Sequence, residues 1–215
     1  MKPRAISETT YLPLALRINP VIYLTGPPAV GKSTLCQTLA QKVPALEIFH
    51  YSALLRDHLA RAGSGLTEDG IREASAKIVT PEIVAEVDDL LIARVRTARL
   101  NGPVIVDSHP VTREGYGYRI TPFSLEKLRQ LAPTHVCLLY SDAETIRNRI
   151  TANAQGRPKP TPFEADFHLY LQSQVAVVYG IDLGVPVYAL DNGGGAELTM
   201  RKVLSWLQPA ETRAP

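Results

Sequence analysis

The stretch "YLTGPPAVGKSTL", residues 23–35, reads as the end of a buried strand, a tight loop and the first turn of a helix. Gly26, Gly31, Lys32 and Ser33 make the pattern G-x-x-x-x-G-K-S. The glycines let the backbone wrap tightly, so that successive N–H groups point inward at a phosphate. Lys32 reaches the outer phosphates as a point charge, and Ser33 opens a helix whose positive end faces the anion. A chance match in a glycine-containing turn is the plain alternative. The apolar strand before the loop and the helix after it are the context that the mechanism requires.

Working outward, "PVIYLTG", "LEIFHY", "PVIVDSHP", "THVCLLYS" and "VPVYALDN" are five short apolar runs, each reading as a buried strand. Between them lie segments with helical spacing. The clearest is "PEIVAEVDDLLIARVRTARLNG", with Ile83, Val87, Leu90, Leu91 and Val95 on one stripe, Pro81 opening it and Gly102 expected to end it. "SALLRDHLARAG" is helical up to Gly63, and Thr67 is expected to cap the segment after it. Strands alternating with helices predict a parallel sheet covered on both faces. The expected fold is therefore α/β, a P-loop NTPase of three α/β/α layers around a five-stranded parallel sheet. "GRPKPTP", residues 156–162, reads as an exposed loop.

The chain has 215 residues, 45% hydrophobic and 20% charged, which suits one globular domain with a sizeable core. A formal net charge of +2 gives no reason to expect nucleic-acid binding. Cys36 and Cys137 stand apart in apolar surroundings, as small buried residues of a reducing compartment. No apolar run approaches the roughly 20 residues needed to span a bilayer, so no membrane partner is expected. The expected location is cytoplasmic. The expected organisation is an arm over residues 1–19, a P-loop domain over 20–208 with a lid at about 150–163, and a tail over 209–215.

Asp107 ends the run "PVIVD". In an open α/β sheet the ligand lies beyond the carboxyl ends of the strands, which places Asp107 beside the loop. There it can hold Mg²⁺ with Ser33, or take a proton from an acceptor hydroxyl. The alternative is a strand-end aspartate that caps a turn. Arg147, Arg149, Arg157 and Lys159 bracket the proline-rich loop, and positioned guanidiniums stabilise charge on a transferring phosphoryl group. Arg149 and Arg157 are the candidates for that role; Arg147 fits a helix surface. Arg56 and Arg72 lie where a second substrate could bind, as clamps for an anionic group. His109 reads equally as a structural histidine or a substrate contact. His50, His58, His135 and His168 show no metal-ligand spacing and read as structural. A guanine-reading N-K-x-D is absent, which disfavours a GTPase. The chain is also short for a mechanical ATPase with an extra helical domain.

From about residue 20 to 208 the chain resembles the archaeal-type adenylate kinases of the nucleoside-monophosphate kinase group. The resemblance is carried by "TGPPAVGKSTL", by "VIVDSHPVTREGYGY", by "SLEKLRQLAPTHVCLLYSDAETIRNR", by "GRPKP" at a short lid motif and by "DNGG" at the loop that passes adenine. It implies Mg²⁺-dependent transfer of the ATP γ-phosphoryl group to AMP, with no covalent intermediate. Gly26, Ala29, Val30, Gly31, Lys32, Ser33, Thr34, Arg149 and Asn192 would then bind ATP. Ser52, Arg56, Arg72, His109 and Tyr116 would face the acceptor, and a mobile acceptor-binding helical region and lid are implied. Members of that family are often trimers, so a homo-oligomer is an open expectation.

The departures fall on the acceptor side. Gln172 and Ser173 stand where the family carries an N-R pair, Ser52 replaces a glycine, and "EGYGYRITP" is longer than the family's loop. Losing one arginine–phosphate contact weakens a dianionic acceptor by about 1.5–3 kcal/mol. That opens the acceptor to other nucleotides, or to a small-molecule or nucleoside hydroxyl. A regulatory or assembly ATPase of the same fold is the reading from a different class.

Overall fold

The computed structural model describes residues 19–61, 79–152 and 158–207. In chain order the elements are β1 (Val21–Thr25), α1 (Lys32–Lys42), β2 (Glu47–His50), α2 (Tyr51–Arg61), α3 (Pro81–Ala98), β3 (Val104–Asp107), β4 (Val111–Glu114) and β5 (Gly117–Ile120). They continue with α4 (Leu125–Leu131), β6 (His135–Tyr140), α5 (Ala143–Ala152), α6 (Pro162–Leu183), β7 (Val187–Asp191) and α7 (Ala196–Leu207). Residues Gly63, Thr67, Arg72 and Arg157, most of the expected arm and the expected tail lie outside the described residues.

Period two along β1 builds the layers. Val21 and Tyr23 face one side with Val104, Val106 and Val136, against α2, α3, α4 and α6. Ile22 and Leu24 face the other with Ile105, Cys137 and Leu139, against α1 and α7. Every residue of β1 is buried, which is why the strand reads as a continuous apolar run. The sheet order is β2-β3-β1-β6-β7 and all its pairings are parallel. The chain moves from β1 to one side of the sheet and later crosses to the other. The crevice at that reversal opens beyond the carboxyl ends of β1 and β3, where ligands of such sheets bind. Both cysteines are buried and free. Among the described residues no helix is long and apolar enough to cross a membrane.

Helix starts follow local chemistry. The Thr80 side chain accepts from the Ile83 N–H, with Pro81 as the first helical residue of α3. Thr161 and Glu164 form a reciprocal capping box at α6, again followed by proline. Asp142 accepts from the Thr145 N–H at 2.7 Å before α5. Two expectations need correcting. Gly102 does not end α3, which stops at Ala98; a Cβ on Gly102 would lie 2.1 Å from the Ala45 carbonyl oxygen, so the glycine serves a close approach. The tyrosine-rich stretch after Asp107 is no simple loop either. It is an antiparallel hairpin, β4 with β5, in the register Val111↔Ile120 to Glu114↔Gly117.

The glycine contact is testable. Gly102→Ala should cost about 1–3 kcal/mol in urea unfolding, because backbone has to move. Gly115→Ala, where nothing lies within 4 Å, should stay within about 0.5 kcal/mol of the parent.

Candidate phosphate site and adjoining hollow

The loop leaves β1 at Gly26 and enters α1 at Lys32. Gly26 has φ 149° and packs so closely that a Cβ would meet the Leu139 carbonyl oxygen at 2.5 Å. Gly31 has φ 100° and caps α1. Ala29 is left-handed at φ 62°, which costs an alanine about 1 kcal/mol. Three side chains hold this strained turn. Lys32 Nζ donates to the Gly26 carbonyl at 2.9 Å. Asn192 Nδ2 donates to the Val30 carbonyl at 2.8 Å. Arg149 donates through Nη1 to the Val30 carbonyl at 3.1 Å and through Nη2 to the Asn192 carbonyl at 2.9 Å.

Amides that converge on an anion leave the carbonyls pointing outward. Arg149 and Asn192 both grip the loop at the Val30 carbonyl, and they join it to α5 and to the end of β7. Ser33 and Thr34 follow Lys32 in the first turn of α1, both exposed.

Asp107 is the last residue of β3, beside Leu24 of β1 and His50 of β2 in the sheet register. His50 Nδ1–H donates to Asp107 Oδ2 at 2.9 Å. Burial works against the Asp107 charge, but the His50 bond and the nearby Lys32 ammonium outweigh it and hold the carboxyl below its usual range. The same bond raises the His50 pKa. The other carboxylate oxygen, Oδ1, is buried without a hydrogen-bond partner. An orphaned carboxylate oxygen at the mouth of a phosphate loop, with the Ser33 hydroxyl in the same loop, is a donor set that suits Mg²⁺ and its waters.

Beyond Asp107 lies a hollow of about 100 Å³ between α2, α3 and the hairpin. Ser52 and His109 line it together with Tyr51, Asp88, Arg119 and Phe123. Tyr51 OH donates to Asp88 Oδ1 at 2.8 Å. Arg56 lies one turn beyond Ser52 on α2, half-buried, and Tyr116 projects from the hairpin turn, 70% exposed. Neither belongs to the described wall of the hollow. The structure thus gathers Lys32, Ser33, Asp107, Arg149 and Asn192 around the loop, and Ser52 with His109 around the hollow.

Reading from sequence missed two groups, the His50 contact and Asp88. His50 reads as structural from sequence, yet it ends β2 level with Asp107; the matching places of "EIFH" and "VIVD" at strand ends are the available signal. Asp88 sits among the apolar residues of α3, and only its place in that stripe marks it. Gln172, fully buried, bonds through its amide nitrogen to the Thr25 hydroxyl at the foot of the loop, while Ser173 Oγ donates back to the Tyr170 carbonyl at 2.7 Å.

Residues 25–164 match the family described as an AAA domain. No curated protein matches the chain. Among solved structures, a protein of Chloroflexus aurantiacus provisionally described as a kinase aligns with 88% of this chain and 93% of its own, at 18% identity and a TM-score of 0.53. An unliganded sugar kinase of Janibacter sp. aligns with 91% of this chain and 99% of its own, at 18% identity and a TM-score of 0.48. At this identity the first likeness speaks to fold alone, that of an α/β P-loop NTPase.

The hairpin wall of the hollow is pinned by His168, whose Nε2–H donates to the Val111 carbonyl at 3.1 Å. Burial pushes the His168 pKa down to about 4, so the ring is neutral in the fold. Below the unfolded value of about 6.5, the unfolded chain takes up a proton that the folded chain refuses. The stabilisation is therefore complete above about pH 6.5 and is lost as pH falls toward 4. His168→Gln should remove roughly 1–3 kcal/mol of that slope, read from urea midpoints between pH 7 and pH 4.5.

Proposed function

The chain belongs to the AAA domain family, and we propose that it is an ATP- and Mg²⁺-dependent phosphotransferase acting on a small acceptor. The observation that carries this is the placement of the Gly26–Ser33 loop and Asp107 at the ends of neighbouring strands, with the hollow opening one residue further on. In this reading the loop amides and Lys32 hold the β and γ phosphates of ATP. Ser33 and Asp107 Oδ1 would hold Mg²⁺, which when bound neutralises charge on the phosphate oxygens. Arg149 and Asn192 keep the loop's amides aimed inward, and His50 orients Asp107.

An acceptor oxygen forms the new bond to the γ-phosphorus. The bond to the β–γ bridging oxygen breaks, and ADP leaves with that electron pair. Arg157 of the proposed lid lies outside the described residues, as does Arg72 on the acceptor side.

AMP or a related nucleotide is the acceptor that the family resemblance implies. It needs no base, because its phosphate attacks as an anion. A second reading, a hydroxyl acceptor, is favoured by two observations. Ser173 stands where the resemblance places a phosphate-clamping arginine, and its hydroxyl bonds its own helix. The hollow also presents a buried carboxylate, Asp88, which repels a dianion. A hydroxyl acceptor loses its proton to Asp107 Oδ1 as the oxygen–phosphorus bond forms; in this reading Mg²⁺ would be held by Ser33 and the phosphate oxygens, with Asp107 as the base.

The test is ADP formation from ATP and Mg²⁺ over a panel of AMP, other nucleotides and small alcohols. Acceptor-dependent ADP supports the proposal, and its identity separates the two readings. Slow hydrolysis that no acceptor stimulates would instead support a regulatory ATPase. Lys32→Ala should lower kcat/KM about 100-fold or more. Asp107→Asn should impair transfer to a hydroxyl through kcat more than through the KM for ATP.

A further inference from the structure

Asp88 is the one acidic residue in the buried class among the described residues, and the phosphoryl transfer proposed above gives it no task. It occupies the inner face of α3 at the spacing Val84, Asp88, Leu91, Val95, where an apolar residue would complete the stripe. Placing a carboxylate there is unfavourable unless a partner meets it. The partner the fold provides is neutral, the Tyr51 hydroxyl at 2.8 Å. Lys127, the nearby cation, bonds Asp89 instead. Arg119, on the same wall, pairs with Glu114 at 3.5 Å. Burial leaves the Asp88 carboxyl raised to about 6, with Lys127 offsetting only part of that push. Asp88 thus meets the hollow as a buried carboxyl whose hydrogen-bond partner is the neutral Tyr51 hydroxyl.

The complement of an ionised carboxyl is a cation. A charge-assisted bond is about twice as strong as a neutral one. The hollow, about 100 Å³, has room for a small polar molecule. Phe123 and Tyr51, edge to face at 5.5 Å, make an aromatic corner of it that also suits an ammonium group. Ser108 and His109, the two residues after Asp107, form its near end.

We propose that Asp88 selects the acceptor, and that the acceptor is a compact amino alcohol whose ammonium group pairs with Asp88 while its hydroxyl is presented toward Asp107. This rests on the phosphotransferase reading and names the substrate class of that same site. The hydroxyl oxygen forms the bond to the γ-phosphorus, its proton passes to Asp107, and ADP leaves with the electrons of the broken bond. Asp88 stays ionised throughout and makes no bond to the reacting atoms.

Two probes separate charge from shape. Serinol and glycerol differ only in an ammonium group replacing the central hydroxyl. Calorimetric titration of the full chain loaded with Mg²⁺ and ADP should give serinol a Kd at least about 10-fold below that of glycerol. Asp88→Asn should bring the ratio close to one by weakening serinol alone. Should that variant lose its fold by circular dichroism, Tyr51→Phe serves instead; it removes the hydrogen bond that favours the ionised Asp88 and should narrow the ratio. Equal binding of the two probes, no binding of serinol, or a ratio unmoved in both variants overturns the assignment. Failure of the phosphotransferase reading shows separately, as absence of ADP formation with every acceptor of the panel whether or not serinol binds.

Discussion

The loop between β1 and α1 must hold its amides turned inward, against the preference of a chain that includes a left-handed alanine. What holds the turn is a set of side-chain donors on its carbonyls. Lys32 takes Gly26, and Asn192 and Arg149 share Val30. An unpaired carbonyl in this half-buried place costs about 1–3 kcal/mol, so each contact both satisfies a backbone group and fixes a dihedral. The contacts also explain the sequence order of the fold. Arg149 comes from α5 and Asn192 follows β7, so β6 must pair with β1, and β7 with β6, before the loop is complete. Gly31 is a glycine twice over. Its φ is positive, and a Cβ there would lie 2.5 Å from Asn192 Nδ2.

Electrostatics divides the crevice. On the loop side, backbone amides, Lys32 and the end of α1 favour anions. On the other side stand two carboxylates with different surroundings. Asp107 is held ionised by His50 and Lys32 despite its burial. Asp88 has only a tyrosine hydroxyl, and burial dominates it. That contrast suits a site that receives a polyanion at one end and something uncharged or cationic at the other. The hairpin matters because it closes the second compartment, with His168 and the Tyr118 hydroxyl tying it to α6. A lengthened, tyrosine-rich segment thereby becomes a wall of the hollow.

Much of this was legible along the chain. Five apolar runs became the five strands of the sheet; β1, β3 and β6 are buried and carry no alternation to misread, while the edge strands β2 and β7 are partly exposed. Pro81 with Thr80, and Pro162 with Thr161, announced their helices through contacts only a few residues long. The phosphate loop was legible for the same reason, since its glycines answer to local backbone geometry. Gly102 was misjudged because a glycine after a helix looks like a cap, whereas its constraint comes from Ala45, a residue distant in sequence. The hairpin was missed because its strands are four residues long and mostly polar.

The sequence by itself determined the layers, the loop and the position of Asp107 at a strand end. These depend on side-chain periodicity and on glycine conformations, which are properties of neighbouring residues. Only the tertiary structure decided who stands beside whom. It set His50 against Asp107 by parallel register, brought Arg149 and Asn192 to the Val30 carbonyl of the loop, and turned Asp88 into a hollow with a neutral partner. Such pairings join residues dozens of positions apart, and no local pattern marks them. The free energy of a charge is set by what surrounds it, and that surrounding exists only once the chain has folded.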